Sequence, residues 1–392
     1  MRARSGFAGA ILLALSIPAL AQRPDVQPYH RAQPIPAVYD AAGQEDPPPA
    51  SVDRVPIGYF GPSDPGHFAG GSVWQGTVLA IEQANAAGGW HGVPFVLVPV
   101  WSENPWTAGA ARLIAMLYSE RAPVLIAGID GPSAHLAEQV TTKALIPVVN
   151  PAATDRSIQT AGVPWMFTCL PGDHLQATVL TDAIARDGQP FALLTATDHD
   201  SRAFAGQLKT AFAESRMSPK FQVEFEAGTN DSPDLGQRVL DFAVHSLVLV
   251  AGPHDTARVL RVIRERGFAG RIYAGPAASR AATLAAADGA AEGVFFPLLV
   301  QDVAETASLR VAFRTRFGRE PDWAAEDAWD TANIVVAAIR KAGMNRARIR
   351  DAIEGLSPWH GATGTIHWDE RGQNDRGVRL GVIRNGQPAV AN

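Results

Sequence analysis

Hydrophobic and polar positions along this chain switch period repeatedly, and each switch marks an element. Short apolar runs at 55–60, 95–101, 124–127 and 146–149 read as buried strands. Between them, apolar residues recur three and four apart at 71–87, 107–118 and 133–143, which predicts amphipathic helices. In the first of these, Val78, Ile81 and Ala84 share a face and Gly88-Gly89 stops the helix. Strand alternating with helix implies a parallel sheet wound by right-handed crossovers. After Cys169-Leu170-Pro171-Gly172 the alternation restarts, with helices at 173–186, 202–217, 234–242 and 255–266 and strands at 191–195, 221–225, 246–250 and 272–274. Two such series predict two α/β lobes of similar build. A strand at 293–297 then precedes three helices in a row, 304–317, 325–342 and 346–354. Those helices need a sheet to cover, and the first lobe supplies the candidate. The tail returns to strands at 364–368 and 378–383, joined by the turn signal Asp369-Glu370-Arg371-Gly372.

The ends and the totals narrow the picture. Residues 1–21 have the anatomy of a secretory signal: Arg2 and Arg4, an apolar run from Phe7 to Leu20 broken by Pro18, and Ala19-Leu20-Ala21 as a small-residue cleavage site. The run is shorter than the roughly 20 residues of a spanning helix, which disfavours a membrane anchor. The expectation is a soluble, exported, periplasmic product cut after Ala21. Residues 22–54 are Pro-rich, without period, and read as an extended linker or disordered arm. At 392 residues, 46% hydrophobic and 19% charged, the chain fits two globular domains. A net charge of −5 gives no footprint for nucleic acid. The lone Cys169 excludes an internal disulfide and reads as a small buried hydrophobe.

Ligands of open α/β sheets bind at the carboxyl ends of strands. The stretch Asn150-Pro151-Ala152-Ala153-Thr154-Asp155 sits at such an end, with small residues for close approach and a threonine hydroxyl. Taken alone it reads equally as a loop in which Thr154 or Asp155 caps the next helix.

Several stretches, in order and at these spacings, make the chain similar to a known family. They are Ile57-Gly58 with Gly61, the run Ala80-Ile81-Glu82-Gln83-Ala84-Asn85-Ala86-Ala87-Gly88-Gly89 with Gly92, then 150–155, Gly275-Pro276, Ala291-Glu292-Gly293-Val294, and Gly364-Thr365-Ile366-His367-Trp368-Asp369-Glu370-Arg371-Gly372. From about Val55 to Val390 the chain resembles a type I periplasmic solute-binding protein, of the family of the leucine/isoleucine/valine-binding and amide-binding proteins of ABC importers. The resemblance implies two Rossmann-like lobes joined by three crossover hinge strands, near 168–172, 297–301 and 362–368. Lobe 1 would comprise 55–170 and 300–362, and lobe 2 would comprise 171–299 and 363–392. It further implies a ligand in the cleft, closure by hinge bending, no cofactor, and a monomer serving an ABC permease in the inner membrane. An exported sensor for a membrane receptor, or a periplasmic carrier of lipid-like molecules, would use the same fold.

The resemblance also assigns candidate ligand residues. Ser133 and Thr154 match positions that hold a substrate carboxylate, and Ala152 would offer its carbonyl; Pro132, which cannot donate, leaves the register at Ser133 open by one residue. Amino-acid binders carry an acid after Gly275-Pro276, where this chain has Ala277. An enclosed ammonium would then need Asp130, Asp200 or Glu103, each of which reads equally as a loop carboxylate or helix cap. An apolar ligand, or a carboxylate without an amine, fits that substitution better than leucine. The facing wall is expected from 63–68, 101–106, 198–202 and 252–255. Phe68 and Trp101 would pack an apolar ligand part, Trp101 reading equally as core. His254 belongs to the same wall. Arg202 is either a ligand cation or a surface residue paired with Asp198 or Asp200. No Walker loop, dinucleotide fingerprint or H-E-x-x-H occurs, and Gly131-Pro132-Ser133-Ala134-His135 lacks the last glycine of a nucleophile elbow, so no enzyme is expected.

Overall fold

Burial on both faces is what the continuous apolar runs require, and the runs assemble into two sheets. The computed structural model describes residues 39–47, 49, 51–229 and 232–391; the signal segment 1–21 and the linker up to 38 lie outside the described residues. In the first series, β1 (Val55–Phe60), β2 (Phe95–Val100), β3 (Leu125–Ala127), β4 (Val148–Asn150) and β5 (Met166–Pro171) alternate with α1 (Gly71–Ala86), α2 (Ala110–Glu120), α3 (Gly131–Ala144) and α4 (Ser157–Thr160). Every pairing among these strands is parallel. The second series runs α5 (Asp173–Asp187), β6 (Phe191–Ala196), α6 (His199–Glu214), β7 (Phe221–Phe225), α7 (Ser232–Asp241), β8 (Ser246–Val250), α8 (Pro253–Glu265), β9 (Arg271–Ala274), α9 (Ala281–Ala287) and β10 (Phe295–Leu298).

The three consecutive helices are α10 (Ala304–Phe317), α11 (Trp323–Ala342) and α12 (Arg346–Glu354); α11 and α12 cover the first sheet as expected, whereas α10 packs through Leu309 and Phe313 on Leu79 of α1 and Ala325 of α11. Ile334, Val335, Ala338 and Ile339 of α11 share one core cluster with Val55, Ile57 and Tyr59 of β1. The close seat is at Gly76 of α1: a Cβ there would lie 2.0 Å from the Ala325 carbonyl oxygen, so only glycine admits this approach.

Two expectations need correction. The third crossing is not at 362–368. Residues β11 (Trp359–Gly361) and β12 (Gly364–Ile366) form a separate two-stranded sheet, and β13 (Gln373–Asn374) pairs with β5, giving a first sheet of order β13-β5-β4-β3-β1-β2. Only after Asn374 does the chain cross, to β14 (Arg379–Arg384) and β15 (Gln387–Val390), which close the second sheet in the order β15-β14-β10-β9-β8-β6-β7. The β10–β14 and β14–β15 pairings are antiparallel, so this sheet is mixed. Buried Arg376 ties the crossing segments together by donating to the carbonyls of Leu299 and Thr363, both at 2.7 Å.

The described part of the linker, from residue 39, is tied to the first lobe, which its composition does not suggest. Tyr39 packs edge-on against Trp165 and lies under the Arg350 guanidinium, while the Asn345 side chain donates to the carbonyls of Gly43, Gln44 and Asp46. A polar strap is held here through its backbone oxygens, a bond type that leaves no hydrophobic pattern.

Candidate functional site

Strand ends from both sheets face one another, and the loops that leave them build a cavity of about 260 Å³. The first lobe contributes Ile129 and Asp130 after β3, and Ala152, Ala153, Thr154 and Asp155 after β4. The second contributes Asp198, Asp200, Ser201 and Phe204 around the start of α6, Val250 to Pro253 after β8, and Gly275, Pro276, Ala277 and Arg280 after β9. Asp173 and Trp323 complete the lining.

Five of its residues are aspartates, and the local chain explains how each is held. Asp130 caps α3, accepting from the Ser133 N–H at 2.8 Å. Asp198 caps α6 in the same way, accepting from Ser201 N–H and Oγ. Asp200 reaches across to the other lobe and accepts from the Gly131 N–H at 2.9 Å. Gly131 must be glycine, since a Cβ there would sit 2.3 Å from Asp200 Oδ1. Asp155 accepts from Ser157 through Oδ1 and meets His135 and His199 through Oδ2, at 3.3 and 2.7 Å. Asp173 accepts from the Arg156 N–H.

Burial raises several of these carboxyls. It lifts Asp130, and it lifts Asp200 well above the carboxylate range with the Asp130 charge adding to the effect. Asp173 is pushed up to about 7, by burial first and then by Asp155. Asp155 goes the other way. Burial alone would raise it, but His135, Ser157 and His199 together hold it well below the usual range.

One cation lines the cavity among the described residues, and it is already paired. Buried Arg280 donates to Asp322 at 2.8 Å, to the Ala69 carbonyl and to Ser72 Oγ, with its guanidinium over the Trp323 ring. Asp322 caps α11 and also accepts from the Ala281 N–H. This pair spans the two lobes.

The sequence candidates divide cleanly. Asp130, Ala152, Thr154, Asp200 and Ala277 line the cavity, and the Thr154 hydroxyl bonds to no described residue. Ser133 does not: it is fully buried, and its hydroxyl donates to the Asp130 carbonyl in a capping box. Phe68 and His254 meet each other edge to face across the lobes at 5.5 Å, outside the lining. Trp101 packs on Phe60 and donates to Glu103. Arg202 is exposed and pairs with Glu224 at 3.0 Å rather than with Asp198 or Asp200. Asp155 closes the stretch 150–155 expected to meet the ligand but was given no role there beyond a helix cap, and Asp173, at the end of the first crossing, was missed as a wall residue. Arg280, whose partner lies 42 positions away, was missed too.

The sequence profile of the periplasmic binding proteins matches residues 55–388. The chain belongs to the type I periplasmic binding proteins. This binding protein is 25% identical over 332 residues to an amino acid binding protein of Pseudomonas aeruginosa, covering 81% of this chain and 87% of that protein. Its fold is similar to that of the branched-chain amino acid transporter substrate-binding protein LivJ of Streptococcus pneumoniae in complex with isoleucine, with a TM-score of 0.77 at 20% identity, over 86% of this chain and 99% of that one. It is also similar to a Rhodopseudomonas palustris solute-binding protein in complex with benzoate, with a TM-score of 0.75 at 16% identity, over 86% and 95% of the two chains. No helix of this binding protein among the described residues is long and apolar enough to cross a membrane.

Proposed function

We propose that this chain is the substrate-binding subunit of an ABC-type importer and that it captures a small organic cation between its lobes. The observation that supports this ligand class is the charge of the cavity wall, which carries Asp130, Asp155, Asp173, Asp198 and Asp200 while Arg280 is bound to Asp322. Desolvated carboxylates make strong charge-assisted bonds to an ammonium or guanidinium, and the Phe204 ring offers a further contact for a cation. A ligand touching Asp130 on one lobe and Asp198 on the other would shift the open–closed equilibrium towards closure.

This reading reverses the inference drawn from Ala277. An acid is absent at that position, but other carboxylates stand around the same space, so an amine has partners. The carboxylate half of an amino acid fares worse. The α3 N-terminus that would receive it is capped by Asp130 and approached by Asp200. A lipid-like ligand fits poorly as well, because it would leave buried carboxylates without counter-charge.

Mass spectrometry of ligand released from natively purified protein, followed by a thermal-shift panel, tests the proposal. Amines, diamines, guanidines and quaternary ammonium compounds should raise the melting temperature by mass action. Thr154→Ala should weaken the best of them by about tenfold or less, the value of one neutral hydrogen bond. Retention of an acid, a zwitterion or a lipid, with every cation inert, would overturn the assignment.

A further inference from the structure

At the rim of the cleft, beside the cavity, three side chains from both lobes converge on one point. His135 stands one turn into α3, Asp155 follows β4, and His199 opens α6. One ligand atom from each lies within 4.8 Å of the others. We propose that His135, Asp155 and His199 form a divalent metal site that clasps the two lobes together in the closed state.

The donor set and its spacing carry the argument. Two imidazoles and a carboxylate suit a borderline ion such as zinc, which takes tetrahedral N and O ligands at about 2.0–2.2 Å and so separates neighbouring donors by roughly 3.3 Å. His135 Nε2 and Asp155 Oδ2 already stand 3.3 Å apart. His199 Nε2 and Asp155 Oδ2 are 2.7 Å apart, a hydrogen bond that must open by roughly 0.6 Å to admit the ion. His199 stands on the lobe opposite His135 and Asp155, so a slight change in the angle between the lobes supplies that opening. The His135 and His199 rings meet at 80°, with centroids 5.7 Å apart. His199 is 46% exposed, which leaves a fourth position for water.

The surroundings of His135 are those of a metal-bound histidine. Its other ring nitrogen, Nδ1, faces Glu138 Oε2 at 3.7 Å. Glu138 is buried, and its Oε1 has no hydrogen-bond partner. A carboxylate behind the distal nitrogen, once drawn in to hydrogen-bond distance, would fix the tautomer that presents Nε2 to an ion. Asp155 is oriented in turn by Ser157, which donates to Oδ1 from both N–H and Oγ and leaves Oδ2 pointing at the two histidines.

An ion bound by residues of both lobes binds the closed state better than the open one, and therefore shifts the population towards closure. The site would then couple metal availability to ligand retention. Asp155 also belongs to the cavity wall, but the metal site needs no occupant in the cavity and can be tested on ligand-free protein.

Untagged full chain, stripped with chelator and free of organic ligand, should be titrated with zinc chloride by calorimetry and with cobalt chloride by absorption spectroscopy. The expected result is one saturable site, a tetrahedral cobalt spectrum, and a zinc-dependent decrease in the radius of gyration. His199→Ala and His135→Ala should each weaken zinc binding at least tenfold, and His199→Ala should abolish the compaction. His199 is half-exposed at a helix start, so that variant keeps its fold, to be checked by circular dichroism. Zinc binding that survives unchanged in both variants, or its absence at millimolar zinc, would overturn the proposal. The cation panel, run in chelator, would stand or fall separately.

Discussion

The two ends of the cleft are bridged by opposite kinds of contact. At one end Arg280 and Asp322 are almost wholly buried, at 5% and 3% side-chain exposure, and besides bonding each other make four bonds, one each with Ala69, Ser72, Ala281 and Ala325. At the other, His199 is 46% exposed and touches Asp155 through a ring nitrogen whose role depends on its proton. One bridge is therefore a buried lock and the other an exposed contact that solvent reaches. The lesson is that closure of a two-lobe binder need not be controlled where it is strongest.

That contrast can be broken most forcefully at Arg280. Arg280→Met leaves Asp322 buried without its cation, and removing one partner of such a pair costs about 3–5 kcal/mol. Denaturant unfolding should register the loss, with small-angle scattering showing a more open chain; parent-like stability would mean the lock carries nothing. Between the two ends, Asp200→Asn should part stability from function. Burial raises the Asp200 carboxyl, so neutralising it should raise the melting temperature of ligand-free protein. The same change should weaken a cationic ligand by about 10- to 100-fold, the worth of a charge-assisted hydrogen bond. Loss of both together would mark the residue as structural only.

A smaller effect sharpens the comparison through pH. Glu326, one turn from Asp322, is pushed up to about 7 by burial in spite of Arg310, and Asp173, near Asp155, to about 7 by burial and the Asp155 charge. Both groups bind a proton more tightly folded than unfolded. Their contribution is complete below the unfolded carboxyl value near 4 and is lost as pH rises through about 7. The ligand-free melting temperature should accordingly fall by a few degrees between about pH 5 and pH 8; a rise over that window would contradict the assignment. The smallest effect belongs to the open end. In chelator, His199→Ala should cost less than about 1 kcal/mol, as exposed pairs do. A larger loss would make the rim a second lock.

Much of the architecture was legible because burial writes itself as apolar runs. The strands at β1, β7 and β8 and the helices α10 and α12 fall at the residues their periods predict. What stayed hidden was held by polar bonds. The strap at 39–46 is fixed by Asn345 through carbonyl oxygens, and the third crossing by Arg376 in the same way. In the cleft, Asp130, Thr154 and Asp200 could be named from their places at strand ends. Ser133 could not be excluded, because a capping box depends on a one-residue register that Pro132 obscures. Arg280 reads as an ordinary surface residue until the fold brings Asp322 beside it.

The seat of α1 on α11 at Gly76 also sets an order of assembly. The strands β1 to β5, and likewise β6 to β10, are neighbours in sequence and can pair through local helical crossovers. The helical cover of the first lobe closes a loop of roughly 280 residues before Ile334, Val335 and Ile339 reach β1, and such long-range contacts form late. A chain halted after β10 would hold five strands of each sheet, with one face of the first still bare. The binding cleft thus comes into being with a helix from the last fifth of the chain, although most of its walls were made long before.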